Sequence, residues 1–412
     1  VLNSEPISNV IIAITSSDTG ESTVSPGSLT FTSGNWDTPQ TVTVTGANDD
    51  FVDASQNSTL TVGVVDASSD DSFDPLADQT VSVTTADNDV AGFTVVESGG
   101  STSVNESGTT DTFTVVLNAQ PDSGTNVVLS ITSSDTGEAT VNSPLTFTSS
   151  NWNSAQTVTV TGVDDNLLDG TQTSTFTISV VDANSADQFD SVADQTVSGT
   201  TVDNDSAGFT VAEISGTSVS ESGTTDTFTV VLGAQPTNDV VIAIASSDTG
   251  EATVTSPLTF TSSNWNTPQT VTVTGVDDNI IDGTITSTLT ISVVDAVSDD
   301  DFDGIGNQTV SATTTDNDTA GFTIAQTSGS TSVSESGTTD TFTVVLNAQP
   351  ASDVVLTITS GDTGEATVTG TLTFTSANWN SAQTVTVTGV DDNLVDGTIT
   401  STITITVNDG SS

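Results

Sequence analysis

Carboxylates are the only ionisable side chains with a charge at neutral pH in this sequence: 54 Asp and Glu stand against no Lys, no Arg and no His. They recur in fixed phrases. One set comprises Glu106, Asp135 with Glu138, the group Asp164, Asp165 and Asp169, and the pair Asp203 and Asp205. A second set repeats it with Glu221, Asp248 and Glu251, Asp277, Asp278 and Asp282, then Asp316 and Asp318. Partial sets flank these two: Asp49, Asp50, Asp53, Asp87 and Asp89 on one side, and Glu335, Glu365, Asp391, Asp392 and Asp396 on the other. Carboxylates grouped in this way can hold a hard cation or, as an acid–base pair, cleave a glycosidic bond. No His or Lys is present to activate a nucleophile. The acids also recur along the whole chain instead of marking one place, so the expectation is a cation-binding protein and not an enzyme.

Two carboxylates 4 Å apart repel by about 1 kcal/mol in water and about 4 kcal/mol at an effective dielectric near 20. A bound cation removes that strain. Calcium suits the donors, because it takes roughly 6 to 8 oxygen ligands in flexible geometry, whereas magnesium demands a tighter octahedron and keeps its waters. Zinc and copper sites draw on His or Cys, and the sequence has neither. Asp, Asn and Gly are also ordinary turn formers. That explains an acid in any one loop but not acids concentrated on alternate loops, so these positions are read as calcium ligands.

The formal charge of −54 over 412 residues cannot be neutralised by side chains of the chain itself, so the neutralising partners come from solution. A disordered acidic chain would carry few apolar residues. Here 33% are hydrophobic and fall in alternating Val, Ile, Phe and Thr runs, a half-buried strand pattern. The absence of Lys and Arg argues against binding nucleic acid or anionic lipid. No apolar stretch approaches the length of a membrane span. Cysteine is absent as well, which rules out disulfides without fixing the compartment.

The elements that must position the acids repeat with them. Trp36, Trp152, Trp265 and Trp379 are spaced by 116, 113 and 114 residues, each between a Phe-Thr run and Gln-Thr-Val-Thr-Val-Thr-Gly. Asp-Asn-Asp followed by Gly-Phe recurs from Asp87 to Phe93, Asp203 to Phe209 and Asp316 to Phe322. Taking this as the joint gives four repeats, 1–90, 91–206, 207–319 and 320–412. Val1-Leu2-Asn3 matches Val116-Leu117-Asn118, so the first repeat is expected to lack its opening strands and the fourth its closing one, within a longer parent chain.

In the second repeat the strand candidates are 93–96, 112–117, 127–132, 145–148, 157–163, 175–181 and 195–202. Seven short strands with turn signals and no helical periodicity predict an all-β chain of tandem immunoglobulin-like antiparallel β-sandwiches arranged end to end. In Thr157-Val158-Thr159-Val160-Thr161 the valines should face inward and the threonines outward. Trp152 and its equivalents read as core or edge packing, not ligand stacking. Successive loops of an up-and-down walk alternate between the two poles. The connections after the first, third, fifth and seventh strands then share one pole, and the acidic phrases fall on those positions.

With these phrases in place, the sequence resembles tandem Calx-beta domains, calcium-binding sandwiches of sodium–calcium exchangers and many bacterial surface proteins. The matching residues are Glu106-Ser107-Gly108, Val163-Asp164-Asp165 with Asp169, and Asp203-Asn204-Asp205-Ser206-Ala207-Gly208-Phe209. The resemblance implies calcium ligands at those three places and an acid after the third strand. Asp135-Thr136-Gly137-Glu138 stands there in place of the family's Asp-Gly-Thr-Ala and Asp-Tyr phrases.

A second acidic group, Asp182, Asp187, Asp190 and Asp194, with Asp295, Asp299, Asp300, Asp301 and Asp303 in the third repeat, belongs to the opposite pole. It reads as a solvated loop or as part of a site between domains. Asp226 reads as a solvated turn position before the second strand. The functional expectation is an extracellular or cell-surface adhesin stalk or spacer rigidified by calcium, with other surface components or copies of itself as partners. The alternatives are a filament subunit polymerising by strand exchange and, as a minor one, a glycan- or ice-binding module using threonine rows such as Thr270 to Thr274.

Overall fold

The computed structural model describes residues 1–213 and 216–408. The chain divides into two compact units, one made of 1–165 with 169–204 and the other of 166–168 with the chain from Asp205 onward. Both are built of β-sandwiches, and among the described residues the only helical turns are three-residue 3₁₀ segments. No helix is long and apolar enough to cross a membrane.

In the first unit, the second repeat forms a five-stranded sheet in the order Leu145–Thr148, Asn126–Ser133, Gln172–Val180, Gln195–Val202, Thr102–Asn105. A four-stranded sheet runs Ala139–Val141, Gln156–Gly162, Thr110–Leu117, Phe93–Glu97. Phe113, Val158 and Val160 from one sheet meet Phe147, Phe176 and Ile178 from the other in a single core. The alternation of Val158 and Val160 with threonines places the valines fully inside, as the sequence pattern requires. Trp152 packs, half-buried, against this core, and its carbonyl accepts the Leu117 N–H at 3.1 Å.

All seven expected strands are present, joined by two that local pattern did not reveal, Thr102–Asn105 and Ala139–Val141. The first arises because the opening strand breaks at Ser98–Gly100, where Gly99 and Gly100 take φ of 74° and 83°. The chain then crosses to the other sheet, and Thr102–Asn105 pairs in parallel with Gln195–Val202. The sandwich is therefore antiparallel except for this pair, and consecutive strands change sheets, save Gln172–Val180 and Gln195–Val202, which pair side by side. Ala139–Val141 runs on in the same direction into Leu145–Thr148, and the chain reverses at the other later connections, which keeps the acidic phrases at one pole.

The first repeat has a four-stranded sheet, Ser28–Phe31, Val10–Ser16, Gln56–Val64, Gln79–Thr85, and the pair Ser22–Ser25 with Thr43–Gly46. It joins the second repeat through Gln120, whose N–H donates to the Asp50 carbonyl at 2.7 Å.

In the second unit, the third repeat reproduces both sheets. Its five-stranded sheet runs Thr217–Ser220, Gln308–Thr315, Ile285–Val293, Val240–Ser246, Leu258–Phe260. The other runs Phe209–Glu213, Thr225–Leu232, Gln269–Gly275, Ala252–Val254. The fourth repeat keeps the latter type of sheet, and among the described residues the strands opposite it are Thr371–Phe374, Val354–Ser360 and Ile403–Val407. A cleft of about 820 Å³ opens there, with Val333, Phe342, Ile403 and Ile405 in its walls.

Candidate metal centre

The third repeat gathers its acids from four connections. Glu221 follows Thr217–Ser220, and Gly275, the last residue of the Gln-Thr-Val-Thr-Val-Thr-Gly phrase, lets two backbones meet beside it. A Cβ on Gly275 would lie 2.1 Å from the Ser220 carbonyl oxygen, so no larger residue fits. Glu251 precedes Ala252–Val254, in a turn held by the Gly250 N–H on Asp248 Oδ1 at 2.9 Å. Asp316 leaves the closing strand and accepts the N–H groups of Asp282 and Gly283 on Oδ2 at 3.1 and 2.9 Å. Its Oδ1 takes the Asp318 N–H at 2.7 Å. The next residue, Asn317, donates its N–H to Glu221 Oε2 at 3.2 Å and its side-chain amide to Asp277 Oδ1 at 3.0 Å.

Two groups result, Glu221 with Glu251 and Asp282, and Glu221 with Asp316 and Asp318; within each, carboxylate oxygens lie within 4.8 Å of one another. Glu221 belongs to both. It is 1% exposed and Glu251 6%. Glu221 Oε1, Glu251 Oε2 and Asp318 Oδ2 are buried acceptors with no protein donor. Burying an anion without a partner is costly, and no cationic side chain exists in the chain to supply one.

The electrostatics record that cost. Burial, then Asp282 and Glu221, pushes Glu251 up from the ordinary carboxylate range. Glu221 is raised by burial and by Asp316, Asp278 and Asp282, against the Asn317 N–H. Asp318 rises through burial and the Asp316 charge. Asp316 moves down because the Gly283 and Asp318 N–H groups favour its ionised form. It is thus a fixed anion that anchors the rest.

The second repeat builds the same group from Glu106, Glu138 and Asp169. Glu106 is 1% exposed, and Glu138 Oε2 and Asp169 Oδ1 lack a protein donor. Burial, followed by Asp169, Glu106, Asp165 and Asp135, pushes Glu138 up to about 7. Asp203 Oδ2 accepts from Asp169 and Gly170 at 3.1 and 2.8 Å, and Asn204 donates to Glu106 Oε2 at 3.3 Å and Asp164 Oδ1 at 2.9 Å. Asp205 opens the second unit.

Other expected positions have different duties. Asp135 and Asp248 lie outside these groups, and each spends Oδ1 on the glycine N–H two residues on, at 2.9 Å. Asp278 Oδ1 accepts the Ile280 N–H at 2.6 Å. In the fourth repeat Glu365, Asp392 and Asp396 form a group in which none is buried, and Asp391 and Glu335 lie outside it.

In the first repeat Asp49, Asp53, Asp87 and Asp89 line a small concavity with Glu21, while Asp50 is exposed. Glu21 was not among the expected ligands. It stands in Asp18-Thr19-Gly20-Glu21, the same phrase as Asp135-Thr136-Gly137-Glu138, and alignment of that phrase alone identifies it. Burial, then Asp53 and Asp49, raises it like its counterparts.

Two acids read as solvated turn out to clamp backbone. Asp226 lies within Thr225–Leu232 and takes the Ser218 N–H on Oδ2 at 2.9 Å, fixing the short strand that precedes Glu221. Asp299, in the opposite-pole loop, takes the Asn238 N–H at 2.6 Å and the Thr237 hydroxyl at 2.8 Å. Among the described residues, no three acids of that loop form a carboxylate group of ligand spacing.

The donor set, all oxygen and partly unpartnered, fits a hard cation such as calcium. No family model matches the sequence, and no curated protein matches it. The fold is similar to domains 4–9 of the surface layer protein SbsC, at 17% identity and a TM-score of 0.24 over 97% of this chain. The match covers 56% of that surface-layer chain. CBD12 from CALX1.2 is 14% identical at a TM-score of 0.21, over 48% of this chain and 79% of its own. The D0-D1 domain of intimin is 17% identical at 0.18, over 53% and 94%.

Proposed function

We propose that this chain is an extracellular structural repeat protein whose sandwiches are loaded with calcium at one pole, and that its role is mechanical and not catalytic. One observation carries the reading: Glu221 and Glu251 are buried side by side, each with an oxygen that no protein group satisfies. In this reading Glu221, Glu251, Asp282, Asp316 and Asp318 would hold calcium in the third repeat, with Glu221 common to both groups, and Glu106, Glu138 and Asp169 would do so in the second. The ion supplies positive charge, and the protein residues supply placement. Asp316 and Asp203 orient the loops through backbone N–H groups, and Asn317 and Asn204 tie Glu221 and Glu106 to them.

The acidic connections also adjoin the links between repeats within each unit, where Gln120 meets the Asp50 carbonyl and Gln349 the Asn279 carbonyl at 2.7 and 2.6 Å. Calcium at that pole therefore stiffens the links as well as the sandwiches, which suits a stalk or spacer on a cell surface. Extracellular modules bind calcium at roughly 10⁻⁴–10⁻³ M, the range in which such a site works outside the cell.

Calorimetric titration of calcium into the EDTA-treated chain should give saturable binding and a higher melting temperature. Identical melting in EDTA and in millimolar calcium would remove the metal reading. Small-angle scattering profiles that do not change with calcium, at a salt concentration that screens general repulsion, would remove the stiffening.

A further inference from the structure

We propose that the peptide bond between Asp74 and Pro75 is an autocleavage site, at which the Asp74 carboxyl attacks its own backbone carbonyl in mild acid and frees Pro75 as a new N-terminus. This activity is separate from the calcium reading above.

Ten prolines occur in the sequence, and Asp74–Pro75 is the one Asp-Pro bond among them. It lies between Gln56–Val64 and Gln79–Thr85, in the first repeat's counterpart of the loop that carries Asp299. The same phrase recurs as Asp182 to Asp190 and as Asp295 to Asp303, but there Ser191 and Gly304 follow the last aspartate. The aspartate is thus common to three repeats, whereas the proline that makes its bond reactive belongs to one.

The loop prepares the group. Phe73 donates its N–H to the Asp70 carbonyl at 2.8 Å, and the Phe73 carbonyl accepts the Leu76 N–H at 3.1 Å, so the bond sits inside a tight turn. Pro75 and Leu76 are exposed, which gives water access, while Asp74 Oδ1 is a buried acceptor with no protein donor. Burial, then Asp66, Asp71 and Asp70, raises the Asp74 carboxyl. Asp70 moves the other way. It accepts the N–H groups of Ser8, Ser72 and Ile7 at 3.0, 3.0 and 2.7 Å, which hold it down to about 2. Neighbouring carboxyls pushed apart in this way leave one neutral while the other stays ionised, the usual division between a reacting acid and a fixed anion.

Attack of the neutral side chain's hydroxyl oxygen on the Asp74 backbone carbonyl carbon closes a five-membered ring, an intramolecular step with a large effective concentration. The carboxyl proton passes to the Pro75 nitrogen, the C–N bond breaks, and proline leaves as a secondary amine. One water then opens the cyclic anhydride, restoring the Asp74 side chain and leaving a C-terminal carboxyl. Proline also closes the competing route, in which the next residue's backbone nitrogen attacks the side chain, because it has no N–H to lose. At Asp303–Gly304 that route stays open. Gln56–Val64 and Gln79–Thr85 pair over seven positions on either side of the cut, so cleavage nicks the first repeat without shedding it.

The test incubates the full 412-residue chain in EDTA at about pH 5 and about pH 7.5, with denaturing electrophoresis, intact mass and N-terminal sequencing as readouts. At the lower pH, residues 1–74 and 75–412 should appear as two species, about ten-fold or more faster than at the higher pH, at a first-order rate independent of chain concentration. The two should co-elute under native conditions. Asp74→Asn and Pro75→Ala should each abolish the break, and hydrogen exchange of 56–64 in the Pro75→Ala chain confirms that its first repeat is folded. The folded chain should be cut faster than the same chain in concentrated urea, and Asp66→Asn, which removes a neighbouring charge, should move the pH midpoint of the rate downward. An intact chain at about pH 5, a break at another bond, or a break that survives Pro75→Ala overturns the site. Equal rates in the folded and unfolded chains overturn the part given to the loop.

Discussion

The third and fourth repeats carry nearly the same acidic phrases and differ in what lies over them. In the third, the strand Gln308–Thr315 covers the sandwich, Leu289 and Ile291 are fully buried, and Glu221 and Glu251 are 1% and 6% exposed. In the fourth no described strand occupies that place, and Ile403, Ile405, Glu335 and Glu365 are all half-exposed. An acidic phrase alone thus makes a solvated loop. The closing strand converts it into a desolvated anion site, because it removes water from the glutamates while delivering two more aspartates and the N–H groups that orient them. The demand for a cation is a product of packing as much as of composition.

Calcium removal should expose this contrast most strongly. At about 10 mM free calcium, roughly 100 times a dissociation constant of about 10⁻⁴ M, a single site stabilises by about 2.7 kcal/mol, which for sandwiches of this size corresponds to a loss of melting temperature on the order of 10 °C. EDTA should accelerate hydrogen exchange across 285–293 and leave 403–407 nearly unchanged. Equal acceleration of the two segments would break the comparison.

Single ligands give the next largest effect. Glu221→Gln removes the carboxylate shared by both groups, and with ligand charge setting affinity it should weaken calcium binding to the third repeat by roughly 100-fold. Glu335→Gln, at the matching position of the fourth repeat, should change total binding by less than about threefold. Titration followed by calorimetry or by lanthanide luminescence distinguishes the two.

A pH profile sharpens the contrast further, through the second repeat. Glu138 is raised from 4.5 to about 7 by burial and by Asp169, Glu106, Asp165 and Asp135. A carboxyl raised on folding stabilises the fold fully below its unfolded value and loses that contribution as pH rises through its folded value. Calcium-free melting temperature should therefore fall between pH about 4.5 and about 7. Saturating calcium should reverse the slope, since the ion binds the ionised form, and Glu138→Gln should flatten it in EDTA.

The smallest effect concerns a feature that both repeats share. Asp226 and Asp340 each accept a backbone N–H from the short segment before the site, Ser218 at 2.9 Å and Ser332 at 2.8 Å. Both are held below the ordinary carboxylate range by those bonds. Asp226→Ala and Asp340→Ala should each lower the midpoint of denaturant unfolding by a small amount, with calcium affinity per site unchanged. A large loss of calcium binding in Asp226→Ala alone would mean that the clamp acts through Glu221.

The amino-acid sequence by itself determined the sandwich, because its signals are local. Alternating Val158 and Val160 fix which face is buried, and the Trp152 phrase and its copies fix the period. The acids after alternate strands follow from chain reversal, so their shared pole was legible too. Only the tertiary structure decided that Thr102–Asn105 pairs in parallel with Gln195–Val202, a contact between residues about a hundred positions apart that no local pattern encodes. It also decided which acids become ligand candidates and which become clamps. Asp248 and Glu251 are three residues apart in one turn, yet Asp248 holds the Gly250 N–H while Glu251 enters the buried group. Asp226 looked solvated until the strand bearing Ser218 was laid beside it. Desolvation is the physical reason for the division: a residue's type and its turn can be read along the chain, but how much water remains around it depends on what folds over it.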